Sequence, residues 1–186
     1  MVEEIFSAAD NGMKAKLEKL KQEMAQIRTG RANPQILDPI RVEYFGQAVP
    51  LKQVAAISVP EARTLEIRPW DATVITAVEK AIQKSDLGVQ PQNDGKGVIR
   101  LTMPTMTEER RKDMVKVLGH TAEEARIAMR NERRDAIEKV KKGEKDKKIP
   151  QDARKREEER IQKLTDAYIK KVDEALAAKE KELSTV

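Results

Sequence analysis

The chain has 186 residues, a formal net charge of +5, no cysteine and a single histidine; 37% of its residues are charged and 3% aromatic. The missing thiol excludes disulfides, thiolate catalysis and cysteine metal sites, and no stretch approaches the roughly 20 apolar residues of a membrane span. Few aromatics and many charges suit long helices with a narrow aliphatic stripe, and the acidic start Met1-Val-Glu-Glu carries no secretory apolar run, so a soluble, cytoplasmic protein is expected.

In chain order, Met13, Leu17, Leu20, Met24 and Ile27 recur at helical spacing and predict a first helix. It ends at Arg28-Thr-Gly-Arg-Ala-Asn-Pro34, with Gly30 as a left-handed C-cap and Pro34 blocking continuation. The pattern then changes to period two. Ile40 to Phe45 before Gly46, Val54 to Val59 before Pro60, and Thr64 to Arg68 read as three strands. Asp71 can cap a helix carrying Val74, Val78 and Ile82 that stops near Gly88, and Val98 to Met103 reads as a fourth strand. The order is β-β-β-α-β.

Thr107 is an N-cap for a second long helix, patterned by Met114, Leu118, Thr121, Ala125, Ala128, Ala136 and Val140. The polar stretch Lys141 to Lys148 reads as frayed helix end and loop. Pro150 opens a last helix with Ile161, Leu164, Tyr168, Val172 and Ala175 on its buried face, and Leu183 closes the chain. Three amphipathic helices bury their stripes most economically as an antiparallel bundle. The expected fold is therefore α+β: a three-helix bundle of residues 1–30 and 105–186, with a small inserted β/α/β domain of residues 31–104. Two chain crossings, near 29–34 and 103–106, would form a hinge at Thr29, Gly30, Pro104 and Thr105.

Catalysis has little support. His120 is alone on a helix, and Glu157-Glu158-Glu159 are consecutive helical residues that point about 100° apart and cannot converge on one metal. Gly95-Lys-Gly97 precedes a strand rather than a helix, so it is a turn and not a phosphate loop. Charge says more. From Arg31 to Pro104 there are nine Lys and Arg against eight Asp and Glu; from Arg110 to Lys148 there are fourteen against eight. That excess points to a polyanionic partner. Within it, Arg126, Arg130 and Arg133 lie within about 60° of one another on a helical wheel, with Arg134 further round. Planar guanidinium forks grip phosphate with paired hydrogen bonds. The same residues also fit an ordinary solvated face, with Glu123 pairing Arg126 and Glu138 pairing Arg134. Arg28 and Arg31 offer a second basic spot beside the expected hinge.

Arg28-Thr-Gly-Arg-Ala32, Val42-Glu-Tyr-Phe-Gly46, Asp86-Leu-Gly88, Thr107-Glu-Glu-Arg-Arg-Lys-Asp113, Arg130-Asn-Glu-Arg-Arg-Asp135 and Gln162-Lys-Leu-Thr-Asp166 follow one another in the order seen in bacterial ribosome recycling factors, which the chain resembles over essentially its whole length. The resemblance implies a monomeric, L-shaped, non-enzymatic protein with no cofactor of its own. Working with elongation factor G and GTP, it would split the post-termination ribosome and free it from messenger RNA. It also implies that the bundle lies on large-subunit ribosomal RNA near the intersubunit bridge. Arg130 and Arg133 match the family's arginines at that contact, and Arg28 and Arg31 match a second basic group; Arg126 and Arg134 are added from helix geometry. Phe45 stands where the family commonly has a second tyrosine. Glu132 stands where an aliphatic residue is usual, at the edge of the buried stripe, which is then either narrower here or lets Glu132 reach a partner such as Arg28 or a lysine.

Overall fold

The computed structural model describes residues 1–185. It divides into two compact units: one of Met1–Met24 and Asp113–Lys181, the other of Ala25–Lys112 with the C-terminal residues from Glu182. All three boundaries fall within helical segments, whereas the sequence reading places two, at Gly30 and Pro104.

The first unit is built from the long helices α1 (Val2–Gln26), α4 (Glu108–Lys145) and α5 (Gln151–Ser184). Cross-helix contacts fix their directions. Glu144 meets Arg154, Arg133 meets Gln162 and Arg126 meets Asp173, so α4 and α5 run antiparallel. Glu3 pairs with Arg160 and Asp10 with Tyr168, so α1 runs parallel to α5. This is an up-down-up bundle whose stripes meet in an aliphatic core. Met13, Leu17 and Leu20 of α1, Leu118, Met129 and Val140 of α4, and Ile161 and Val172 of α5 are all buried. In α4 the stripe runs through Ala122 and Met129 rather than Thr121 and Ala128, which are half-buried. The α5 stripe includes buried Glu157 and Thr165, with the Thr165 hydroxyl donating to the Ile161 carbonyl.

Thr107 caps α4 as expected, its Oγ1 accepting from the Arg110 N–H at 3.2 Å. The stretch read as frayed helix is different. α4 stays helical through Lys145, then closes with Lys147 N–H donating to the Glu144 carbonyl and Lys148 N–H to the Gly143 carbonyl, at 2.9 and 2.8 Å. That is a Schellman cap with Lys147, at φ 57°, in the left-handed position usually held by glycine. Gly143 is needed for a separate reason. A Cβ there would lie 2.5 Å from Cδ1 of buried Ile149, which folds back over the helix.

Between α1 and α4 lies the second unit. A 3-10 turn (Pro34–Leu37) precedes β1 (Arg41–Tyr44), β2 (Gln47–Pro50), a single turn α2 (Leu51–Val54), β3 (Ala55–Glu61) and β4 (Thr64–Pro69). A second 3-10 turn (Ala72–Val74) leads into α3 (Ile75–Lys84), followed by β5 (Gln92–Asn93) and β6 (Ile99–Thr102). The β-β-β-α-β expectation is thus short of two strands. β1 and β2 form a separate antiparallel hairpin, and β5 completes a four-stranded antiparallel sheet in the order β3-β4-β6-β5. Pro60 does not end β3 but sits inside it, at a register break between Ser58 and Glu61. An edge strand tolerates the missing N–H there. Leu65, Ile67, Ile99 and Leu101 pack the sheet against Val78 and Ile82 of α3. Asp71 caps the 3-10 turn ahead of α3, accepting from the Thr73 N–H at 2.9 Å.

Gly30 is left-handed (φ 80°) but lies beyond the end of α1 at Gln26, so it shapes the exit turn rather than capping the helix.

Candidate nucleic-acid interface

The arginines of α4 do not behave as one group. Arg126 is turned toward α5: its Nη2 and Nε both donate to Asp173 Oδ1, at 2.6 and 2.9 Å, and its Nη1 donates to Glu123 at 3.1 Å. Its side chain is only 21% exposed. These carboxylates push its pKa up, and they engage all three of its nitrogens, with Asp173 taking the Nε–Nη2 edge that would otherwise fork onto a phosphate. Arg126 is a strut between two helices.

Arg130, Arg133 and Arg134 share a shallow depression of about 520 Å³ with Asn131, Ile137, Glu138, Lys141 and Gln162. Four cations face one carboxylate there. Arg130 is half exposed and its Nη1 reaches Glu123 at 3.1 Å. Arg133 donates through Nη1 to Gln162 Oε1, also at 3.1 Å, while Gln162 Nε2 donates to Asp166 at 2.9 Å. Each of these two guanidiniums is thus oriented through one nitrogen and keeps its others for an incoming acceptor. Glu123 accepts from both Arg126 and Arg130, and those bonds hold its carboxyl below the usual glutamate range. It therefore stays charged and keeps Arg130 in place at neutral pH. Arg134 is exposed and holds no ion pair among the described residues; the pairing with Glu138 that its spacing allows does not form.

Sequence reasoning missed two members of this face. Lys141 lies eight residues beyond Arg133 and seven beyond Arg134, a spacing that returns it to the same side. Gln162 comes from α5, and its proximity to Arg133 is a tertiary fact that no local spacing carries.

Glu132 packs against α1. A Cβ at Gly12 would lie 2.5 Å from Glu132 Oε2, so the bare backbone at Gly12 makes the space that the half-buried carboxylate fills.

Arg28 and Arg31 belong to the α/β unit. Arg28 Nη2 donates to the Asp86 carbonyl at 2.6 Å, just past the C-terminus of α3, which joins two of the sequence motifs in one contact. Arg31 is exposed. The two segments expected from the sequence to be the chain crossings lie inside the α/β unit, stitched side by side onto the β3–β4 turn. Ala32 N–H donates to the Ala62 carbonyl at 2.8 Å, Met103 N–H to the Arg63 carbonyl at 2.7 Å, and Arg63 forks onto the Met103 carbonyl at 2.6 and 3.2 Å. Thr29 and Gly30 are buried, whereas Pro104 and Thr105 are exposed.

A family model described as ribosome recycling factor matches residues 20–183. Ribosome-recycling factors of Syntrophomonas wolfei and Symbiobacterium thermophilum are each 53% identical to the chain over 186 residues, covering all of both sequences. Among solved structures, a solution structure of a ribosome recycling factor aligns with TM-score 0.80 at 44% identity, over 100% of this chain and 98% of that one. A T. thermophilus ribosome recycling factor, placed together with E. coli elongation factor G on the E. coli post-termination complex, aligns with TM-score 0.71 at 43% identity over 98% of each chain.

Proposed function

The chain belongs to the ribosome recycling factor family, and from that membership we propose that it ends the life of the post-termination ribosome. With elongation factor G and GTP it parts the subunits and releases messenger RNA. The solved relative placed with elongation factor G on the post-termination complex supports this reading. The action is mechanical: the partner hydrolyses GTP, and this chain acts as a translation factor rather than an enzyme. It works in the cytoplasm, as a monomer, and none of its described helices is long and apolar enough to cross a membrane.

The observation that carries the RNA-binding part is the α4 depression, where Arg130, Arg133, Arg134 and Lys141 surround one carboxylate. Guanidiniums held by Glu123 and Gln162 need lose little freedom when phosphates arrive. This face is assigned to large-subunit ribosomal RNA near the intersubunit bridge, with Arg28 and Arg31 as a second contact. Arg126 is withdrawn from the assignment because each of its nitrogens already donates to Asp173 or Glu123 and its side chain is turned toward α5. Thr29-Gly30 and Pro104-Thr105 are the hinge in this proposal, although the compact units divide a few residues further out, after Met24 and after Lys112.

Co-sedimentation with ribosomes over a salt series tests the interface. Arg133→Ala should weaken binding and flatten the salt dependence by about 0.9 for each phosphate it no longer engages, while the melting midpoint stays near the parent's. A variant that binds ribosomes normally with an unchanged slope removes this face from the account.

A further inference from the structure

A second concave surface lies wholly within the α/β unit. The β1–β2 hairpin and α3 enclose a groove of about 620 Å³. Its floor is small, with Ala48 on the hairpin and Ala77 and Ala81 on the helix. Its rim is cationic: Arg41, Lys80 and Lys84 outnumber Glu43. Arg41 spends one nitrogen on the Asp38 carbonyl at 2.9 Å. Lys80 and Lys84 hold no ion pair among the described residues. Lys84 suits the negative end of α3, but like charges one turn apart weaken a helix slightly, so pairing Lys80 with it brings the helix no added stability.

The hairpin turn adds a second, independent oddity. Phe45 (φ 47°) and Gly46 (φ 75°) are both left-handed, as a type I′ turn requires. Such turns favour Asn, Asp or Gly at the first position, and phenylalanine is strained there. Burial does not compensate, because Phe45 is 84% exposed. Its ring meets Tyr44 edge-on, centroids 4.5 Å apart, and Tyr44 is itself packed against the core. A strained, exposed aromatic thus stands against Tyr44, next to Gly46, which lines the groove.

We propose that this groove binds a single-stranded RNA segment, with a base stacked on Phe45 and its phosphates running along Lys80 and Lys84. A presented aromatic beside a cationic track is the chemistry of single-strand binding. An acidic peptide would use the lysines but give Phe45 no purpose, and the small-residue floor offers no deep pocket for a protein anchor side chain.

The test uses the full chain carrying Arg130→Ala and Arg133→Ala, so that the α4 face does not contribute and failure of that face leaves this result readable. Fluorescence anisotropy follows a labelled, uridine-only RNA strand. Adding Lys80→Gln and Lys84→Gln should weaken binding about tenfold or more and lower the salt slope by roughly 1.4, the single-strand value for two phosphates. Phe45→Asn should weaken binding about fivefold or more, the low end for removal of a base–aromatic stack, yet raise the thermal midpoint by relieving the turn. These opposite signs separate a binding role from a structural one. Strand binding indifferent to all three substitutions overturns the proposal, as does a lower midpoint for Phe45→Asn. Poly-glutamate that binds as tightly as the strand and ignores Phe45→Asn would make the groove an acidic-peptide site, and would overturn it too.

Discussion

Replacing Arg126 with alanine should cost stability and leave ribosome binding almost untouched, the reverse of what Arg133→Ala should do. The guanidinium makes three charge-assisted bonds, two to Asp173 and one to Glu123. Buried bonds of this kind contribute about 1.5–3 kcal/mol and exposed pairs about 0.2–1. Arg126 is 21% exposed and Asp173 53%, so the interaction sits between those limits, at about 1 kcal/mol. The aliphatic stem, shielded where α4 meets α5, adds several tenths. The expected loss is about 1.5 kcal/mol. For a chain of this size that lowers the melting midpoint by roughly 3–6 °C. Urea unfolding and calorimetry measure the loss directly, and 1 M salt should shrink it by screening the half-exposed carboxylate. Ribosome affinity should stay within about twofold of the parent, since Arg130, Arg133 and Arg134 are untouched. An Arg126→Ala protein as stable as the parent but as weak on ribosomes as Arg133→Ala would refute the division of roles drawn from these bonds.

Three further substitutions probe the bundle. Lys147→Gly should stabilise by about 1 kcal/mol in urea unfolding, because glycine adopts the left-handed Schellman position without strain. Gly143→Ala should destabilise by about 1–2 kcal/mol despite alanine's better helix propensity, since the new Cβ meets buried Ile149; adding Ile149→Ala should make the two changes non-additive. Tyr168→Phe should cost about 1.5 kcal/mol at neutral pH through loss of the 2.6 Å bond to Asp10. Burial and the Asp10 carboxylate raise the Tyr168 pKa to about 12, above its ordinary value of 10. The folded chain thus keeps a proton that the unfolded one releases. That stabilisation is complete below pH 10 and lost as pH rises through 12, so the parent's advantage over Tyr168→Phe should shrink across that window in alkaline unfolding titrations.

Helical periodicity carried most of what could be read from the residues alone. The α1 stripe from Met13 to Met24 and the cap at Thr107 follow from local spacing and local hydrogen bonds, and both stand in the structure. Where the reading fell short, the deciding partner was distant. Arg126 shares its wheel position with Arg130 and Arg133, but Asp173, which claims it, lies 47 residues away. Glu132 looked misplaced in the stripe until Gly12 supplied its space from another helix. The lysine-rich composition of 141–148 masked an ordered cap, although Gly143 ahead of Ile149-Pro150 was the available signal. β2 has no inward–outward alternation, unlike β1 and β6, and β5 has only two residues, so only pairing with β1 and β6 makes them strands.

Light scattering of post-termination ribosomes, mixed with this chain, elongation factor G and GTP, tests the central claim most directly. The scattering should fall as subunits separate, only when all three additions are present, and Arg130→Ala with Arg133→Ala should slow the fall in proportion to the drop in occupancy. Splitting that proceeds without this chain, or is just as fast with the double variant at sub-saturating concentration, would contradict the account.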